Sequence, residues 1–315
     1  MNDTTQKEHT TPLVAAGYFE TVATAIRQEA RRLLDSGEVA AVIGYTAGRR
    51  NGSARPVIIT AASRADELTF TPTCVNNLAL YLTRAKKEIA RKGKIAIVAK
   101  GCDLKALAGL MGESQLKREN LHIIGIACAG VHGGNIQPAE PLSAASIARK
   151  CRECTVHTPE GVDIITGTLP KLEPLTPIES EELAKLEAMT PAERWAFWKE
   201  HFNRCIRCMA CRQVCPFCYC EQCLCDRNRP QGVETTPRPA GNMGWHIVRA
   251  MHLAGRCAGC AECERSCPMD IPLNLLNRKM AAELKELYGF DAGMAPQEKG
   301  PLATYTDNDD QSFIK

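Results

Sequence analysis

The chain has 315 residues, a formal net charge of +3, 44% hydrophobic and 24% charged residues, and 17 cysteines. That balance belongs to a folded protein and excludes a disordered chain or a small disulfide scaffold. The weak charge and 5% aromatic content offer neither an electrostatic footprint nor stacking platforms for nucleic acid.

No stretch is apolar for long enough to span a membrane, and the first residues lack the basic-then-apolar pattern of a secretory signal. The expectation is a cytoplasmic protein in a reducing compartment, where clustered thiols hold metal more often than they pair. Charge and cysteine both divide the chain. Residues 1–150 carry +7 and only Cys74, Cys102 and Cys128; residues 151–315 carry −4 and the other 14 cysteines. Two modules are expected.

Taken in order, residues 1–37 read as an N-terminal arm followed by a helix over 18–35 with helical apolar spacing. Val39 to Tyr45 and Pro56 to Thr60 are β-branched runs joined by a loop holding Asn51-Gly52, a hairpin signal. Gly44, Gly48 and Gly52 with Arg49, Arg50 and Arg55 could instead cradle phosphate, but they neither form the dinucleotide fingerprint nor open a helix, and the hairpin is preferred. Asn76 to Arg91 reads as helical. Lys94 to Ala99, Asp103 to Lys117 and Leu121 to Ala127 then give strand, helix and strand, a βαβ unit with parallel strands.

Residues 155–178, rich in Pro, Thr and Gly, read as a linker leading into two short helices. The second opens with Thr190-Pro191-Ala192-Glu193, a hydroxyl cap with proline first and glutamate third. It carries Trp195, Phe197, Trp198 and Phe202, expected to pack over the cysteine-rich region. A further helix is expected over Trp245 to Ala254, and residues 291–315 read as a polar, mobile tail.

The most specific signal is Cys205-x2-Cys208-x2-Cys211-x3-Cys215-Pro216, repeated as Cys257-x2-Cys260-x2-Cys263-x3-Cys267-Pro268. This is the bacterial ferredoxin spacing, present twice. Three thiolates on one tight loop reach three irons of a cubane, and the fourth points away toward a second cluster. Cys205, Cys208, Cys211 and Cys267 are therefore expected to hold one [4Fe-4S] cluster; Cys257, Cys260, Cys263 and Cys215 hold the other. Paired zinc knuckles would not produce this pattern twice.

Between the runs lies Cys218-x-Cys220-x2-Cys223-x-Cys225. These four thiols suit zinc or a further iron–sulfur cluster, and one of the four could be a bystander. In the first half, Cys102 and Cys128 follow the two strands of the βαβ unit, at the edge where open α/β sheets build ligand sites, and Cys151-x2-Cys154 comes shortly after. Spacing alone fits equally a four-thiol site or two buried core cysteines beside an unrelated pair. His246 and His252 read as hydrogen-bonded or exposed side chains. No nucleophile elbow or phosphate loop is present.

Lys100-Gly101-Cys102-Asp103, then Ile124-Gly125-Ile126-Ala127-Cys128-Ala129-Gly130, then Cys151-x2-Cys154 followed by Asp163-Ile164-Ile165-x-Gly167 resemble the β-subunit family of deazaflavin-reducing hydrogenases and formate dehydrogenases over roughly residues 38–170. The resemblance implies an α/β domain with an iron–sulfur cluster on Cys102, Cys128, Cys151 and Cys154. It also implies FAD, and electron exchange between a partner's clusters and a hydride-carrying coenzyme. Residues 195–290 resemble the dicluster subunits of heterodisulfide-reductase-like and formate-dehydrogenase-like assemblies.

The expected architecture is an α/β domain with a parallel or mixed sheet (38–170), a helical linker (171–200) and a mostly helical dicluster ferredoxin-like domain (201–290). Two functions follow as expectations. One is an iron–sulfur electron-transfer subunit working between a formate dehydrogenase- or hydrogenase-type partner and another redox protein. The other is a flavoenzyme subunit that itself moves hydride to or from deazaflavin or nicotinamide.

Overall fold

The computed structural model describes residues 11–50, 52–83, 93–134, 140–294 and 299–301. Helix α1 (Tyr18–Asp35) buries Val22, Ala23, Ile26, Ala30 and Leu33, the stripe its apolar spacing lays down. Strands β1 (Ala41–Ala47) and β2 (Ala54–Ile59) pair antiparallel, with Ala47 opposite Ala54. The Gly48 N–H donates to the Ser53 carbonyl at 2.7 Å. The glycine- and arginine-rich segment is thus a hairpin; Asn51 itself lies outside the described residues.

Strand β3 (Ile95–Ala99), helix α2 (Gly101–Gly112) and strand β4 (Leu121–Ile126) form the expected βαβ unit. The order is β2-β1-β3-β4-β5, antiparallel at the β2 edge and parallel elsewhere. Every residue of β3 and β4 is buried, as central parallel strands covered on both faces must be. Helix α2 stops at Gly112, short of the expected Lys117, where Ser114 turns to a positive φ of 56°.

The sheet holds a strand that the residue pattern does not announce. β5 (Ile164–Thr166) lies inside the expected linker and pairs in parallel with β4. Asp163 anchors it, accepting from the Ile123 N–H at 2.7 Å and from Arg118 at 2.8 Å. The expected helix Asn76 to Arg91 does not form as such. Among the described residues it holds a 3₁₀ turn, Leu78–Leu82, because the Asn77 side chain caps Ala79 and donates to the Cys102 carbonyl at 3.0 Å. Residues 84–92 lie outside the description.

The second half is helical: α3 (Arg149–Arg152), α4 (Ile178–Ala188), α5 (Pro191–Asn203), α6 (Ala210–Gln213), α7 (Pro239–Leu253), α8 (Glu262–Arg265) and α9 (Leu273–Tyr288). The capping box of α5 is present, with the Thr190 N–H donating to Glu193 at 2.8 Å and the Glu193 N–H to the Thr190 hydroxyl at 3.3 Å. Of its aromatics, Phe202 is buried and Trp198 stacks on it, but Trp195 is 52% exposed. Helix α7 begins six residues before the expected Trp245, with Pro239 at its first position. Helix α9, unforeseen, ends on Gly289 in the left-handed region. The expected mobile tail begins with packed residues: Ala292 is buried, and Gly293 sits against the Lys105 backbone. Residues 295–298 and 302–315 lie outside the description. Among the described residues no helix is long and apolar enough to cross a membrane.

The halves share a core. Cys215, Phe217, Leu253 and Ala258 belong to the same apolar cluster as the sheet. Phe217 lies so close to Gly109 of α2 that a methyl there would stand 2.9 Å from its ring. Arg256–Glu113 at 2.5 Å and Arg278–Glu153 at 2.6 Å tie the surfaces around this contact.

Candidate functional site

None of the 17 cysteines is in a disulfide. The two long cysteine runs repeat one another in backbone as well as in sequence. The residue before the second cysteine is left-handed in each (Arg207, φ 56°; Gly259, φ 65°), and so is the residue after it (Met209, φ 61°; Ala261, φ 52°). A four-residue helix, α6 or α8, follows directly. Such alternation turns successive backbone N–H groups inward and makes a concavity suited to an anionic group. In each run a backbone N–H also donates to the first thiol: Arg207 to Cys205 at 3.4 Å, and Gly259 to Cys257. Three non-glycine residues accept a conformation costing about 1–2 kcal/mol each, so the loop shape is imposed by the surrounding structure.

Cys205, Cys208 and Cys211 line one cavity, and the fourth cysteine on it is Cys267 of the second run, with Met209, Met269 and Ile271 completing an apolar wall. The thiols thus meet across the two runs. In the second run, burial raises the thiols of Cys257, Cys260 and Cys263, the last to about 12, and the charges of Cys257 and Cys263 interact. Cys215 lies in the shared core, and Cys257 packs against the same apolar cluster.

Two polar residues of α7 stand at these thiols, and neither was singled out from the sequence as acting there. Arg249 is buried, donates to the Cys211 carbonyl at 3.2 Å, and keeps its charge despite burial because Cys215, Cys263, Cys218 and Cys211 surround it. His246, on the wall of the first cavity, is buried and stacked on Phe202 at 4.6 Å. Burial, with Arg249 and Arg207 nearby, lowers its pKa to about 3, so the ring is neutral. His252, as expected, is exposed. The signal for both was the one-turn spacing of polar residues on the buried stripe of an otherwise apolar helix.

In the first half, Cys102, Cys128, Cys151 and Cys154 line a single cavity of about 90 Å³. Cys102 sits on the first turn of α2 just beyond β3, and Cys128 two residues beyond β4, so both lie at the carboxyl edge of parallel strands. Helix α3 and the turn after it bring Cys151 and Cys154 over them. Glycine permits this close packing. A side chain at Gly101 would collide with the Val156 carbonyl, and Gly130, at φ 127°, would place one 3.2 Å from Cys151 Cβ. Burial pushes the Cys102 thiol up to about 11 and raises Cys128, Cys151 and Cys154 as well.

Four cations share the wall: Lys100, Lys105, Lys150 and Arg278. Lys100 is committed to Asp103 at 2.9 Å and to the Asn76 carbonyl at 2.9 Å. Four soft sulfur donors around one cavity with cationic side chains on its wall fit an iron–sulfur group. Among the described residues no three Cys, His, Asp or Glu side chains close on a single ion.

The remaining group is not drawn together. Cys218 shares a hydrogen bond with Cys215 and faces Arg249, Cys220 is exposed, and Cys223 shares a hydrogen bond with Cys225, which is buried in the apolar cluster of Phe202 and Trp245. Cys74 is a core thiol receiving the Thr71 N–H at 3.3 Å.

No protein-family model matches the chain. It is similar to the F420-dependent formate dehydrogenase subunit beta of Methanocaldococcus jannaschii, at 22% identity over 83% of this chain and 89% of that one. It is similar also to the F420-dependent formate dehydrogenase 1 subunit beta of Methanococcus maripaludis, at 22% identity over 83% and 88%. Among solved structures, a chain of the F420-reducing [NiFe] hydrogenase complex from Methanosarcina barkeri, studied by xenon derivatization, matches at 13% identity. It covers 41% of this chain and 42% of that one, with a TM-score of 0.27. The homologues are thus formate dehydrogenase beta subunits.

Proposed function

We propose that the chain is an iron–sulfur electron-transfer subunit of a cytoplasmic redox complex, relaying electrons between a formate dehydrogenase- or hydrogenase-type partner and a second redox protein. One observation carries the reading: three sets of cysteines follow one another through the molecule. The first cavity is lined by Cys205, Cys208, Cys211 and Cys267, and Arg249, which donates to the Cys211 carbonyl, also lies near Cys215 and Cys263. Ala258 and Gly259 of the second run then form part of the wall of the four-thiol cavity. Iron–sulfur clusters at these places would supply one-electron carriers. The chain's own residues hold the thiols in fixed loops, keep water from the inner two sets, and provide buried positive charge at their borders. The domain at 201–290 is on this reading a dicluster ferredoxin-like unit.

A second reading has one observation in its favour. A groove of about 480 Å³, lined by Leu104, Ala108, Met111 and Arg118, shares Lys105, Thr155 and Val156 with the four-thiol cavity. FAD in that groove would make the chain a hydride-transferring flavoenzyme, matching the coenzyme named for its relatives.

Anaerobic purification with iron, sulfide, zinc and flavin quantitation tests both, together with native mass measurement. The relay reading expects iron for three clusters, no flavin, and co-purification with a stoichiometric redox partner. An iron-free chain overturns both readings, and stoichiometric FAD promotes the second.

A further inference from the structure

Of the cations on the four-thiol cavity, Lys105 is answered by Asp291 and Arg278 by Glu153 and Glu179, whereas Lys150 reaches across to hydrogen-bond the second run. Lys150, on α3, lines the cavity of Cys102, Cys128, Cys151 and Cys154. Its ammonium leaves that cavity and donates to the Cys260 carbonyl, in the second run, at 2.8 Å, and to the Val75 carbonyl at 3.3 Å. Its nearest carboxylate is Glu262, at 3.8 Å, between Cys260 and Cys263. The Lys150 side chain is 8% exposed and that of Glu262 3%. Two backbone carbonyls and one carboxylate therefore face the buried ammonium. Lys100, by contrast, faces only the four-thiol side, and Asp103 answers it at close range. Glu262 is shared with Arg265 at 2.7 Å, so Lys150 is left with a distant, divided counter-charge and two sets of thiols.

We propose that Lys150 is the electrostatic link between the second-run site and the four-thiol site, one buried ammonium that favours an added electron on either side and sets the two potentials together. The proposal rests on the relay reading. One electron lost by one site is gained by the other, with no bond made and no proton moved, so the only cost is charge placed in a dry interior. There a fixed positive charge is weakly screened and acts over short range. The same ammonium, bound to Cys260 and Val75 carbonyls, also fixes the separation of the two sites. Lys150 is a positioning residue.

The test is an EPR-monitored redox titration of the full chain, purified anaerobically with its iron counted. In Lys150→Gln the second-run and four-thiol signals move to lower potential by at least tenfold in the reduction equilibrium, 59 mV for a one-electron couple, and the first-run signal stays put. Lys150→Arg keeps the wild-type potentials. Glu262→Gln moves the second-run signal the other way, upward. Unchanged potentials in an iron-replete Lys150→Gln protein overturn the proposal, and so does an equal shift of all three signals. If Lys150→Gln loses iron, Glu262→Gln decides: an unmoved second-run signal overturns the proposal, and an upward shift supports it. Wild-type chain without iron at these thiols overturns the relay reading itself, a separate outcome.

Discussion

The two cysteine runs share one backbone and differ in what surrounds it. The first faces outward: Cys208 is exposed, its neighbour Ile206 is 57% exposed, and left-handed Arg207 is steadied by the Gly241 carbonyl at 2.8 Å and by the ring of Trp245. The second is built into the α/β body, with glycine in place of that arginine, Lys150 bound to its loop, and α9 behind it. Shared spacing accompanies a shared loop, while packing sets how deeply each run is buried. On the relay reading, the outward run would be the carrier near the surface and the second run the carrier inside.

The sharpest way to break this comparison is to remove the cysteine each run lends to the other. Cys267→Ala should cost the first-run cluster while the second survives, and Cys215→Ala should do the reverse. Mössbauer and EPR spectra of anaerobic protein check it, and loss of only the second-run signal in Cys267→Ala would show that the runs do not exchange ligands.

Next in size is the attachment of the inner run. Phe217→Ala empties a buried site against Gly109 and should lower stability by about 3–5 kcal/mol in a denaturant titration. Arg278→Ala leaves Glu153 and the buried Glu179, now paired at 2.6 and 3.0 Å, without their cation. A loss of about 3 kcal/mol is expected, with hydrogen exchange rising in α9 and around Cys257 before the outer run.

A smaller effect separates the loops themselves. Gly259 has open space around it and a φ of 65°, so Gly259→Ala should cost about 1 kcal/mol from conformation alone. Ala261→Gly should gain less than about 1 kcal/mol, because glycine's backbone entropy offsets part of the relief. Equal and opposite thermal shifts would mean that the outer surroundings, not the loop, set the strain.

The smallest effect lies at the sheet edge, remote from both runs. The Ile123 N–H, Arg118 and His122 hold the Asp163 carboxyl below its usual range against the opposing effect of burial. Its folded value is depressed, so its contribution is present above the ordinary aspartate range and lost as pH falls through that range and below. Asp163→Asn should flatten that acid limb of the stability curve by about 1 kcal/mol.

Much of this was legible because it rests on local rules. The βαβ unit, the hairpin, the Thr190 capping box and the strand-end positions of Cys102 and Cys128 each follow from a residue pattern with one structural solution. What escaped depends on partners distant in sequence. β5 is three residues long with Ile164 and Ile165 partly exposed, so no periodicity marks it, and only pairing with β4 makes it a strand. The helix expected over Asn76 to Arg91 gave way at its start to a side-chain cap and the Cys102 carbonyl, a contact made across the sheet edge. No local pattern distinguishes Lys150 or Arg249 from other basic residues, and their placement near thiols arises only once both halves are packed. The quartet from Cys218 to Cys225 looked like one site because its members are neighbours in sequence, yet Cys218 turns to one core and Cys225 to the other.

The core shared through Cys215, Phe217 and Leu253 has a consequence for how the protein is made. On the relay reading, thiols of the inner sets lie in the same apolar body that drives collapse of the chain, so folding and cluster loading would compete for the same moment. Iron delivered after that body has closed would meet Cys128, Cys215 and Cys263 already buried. That reading therefore orders maturation in time, with the inner sites filled on an open chain and the outward run, still reachable at Cys208, filled last.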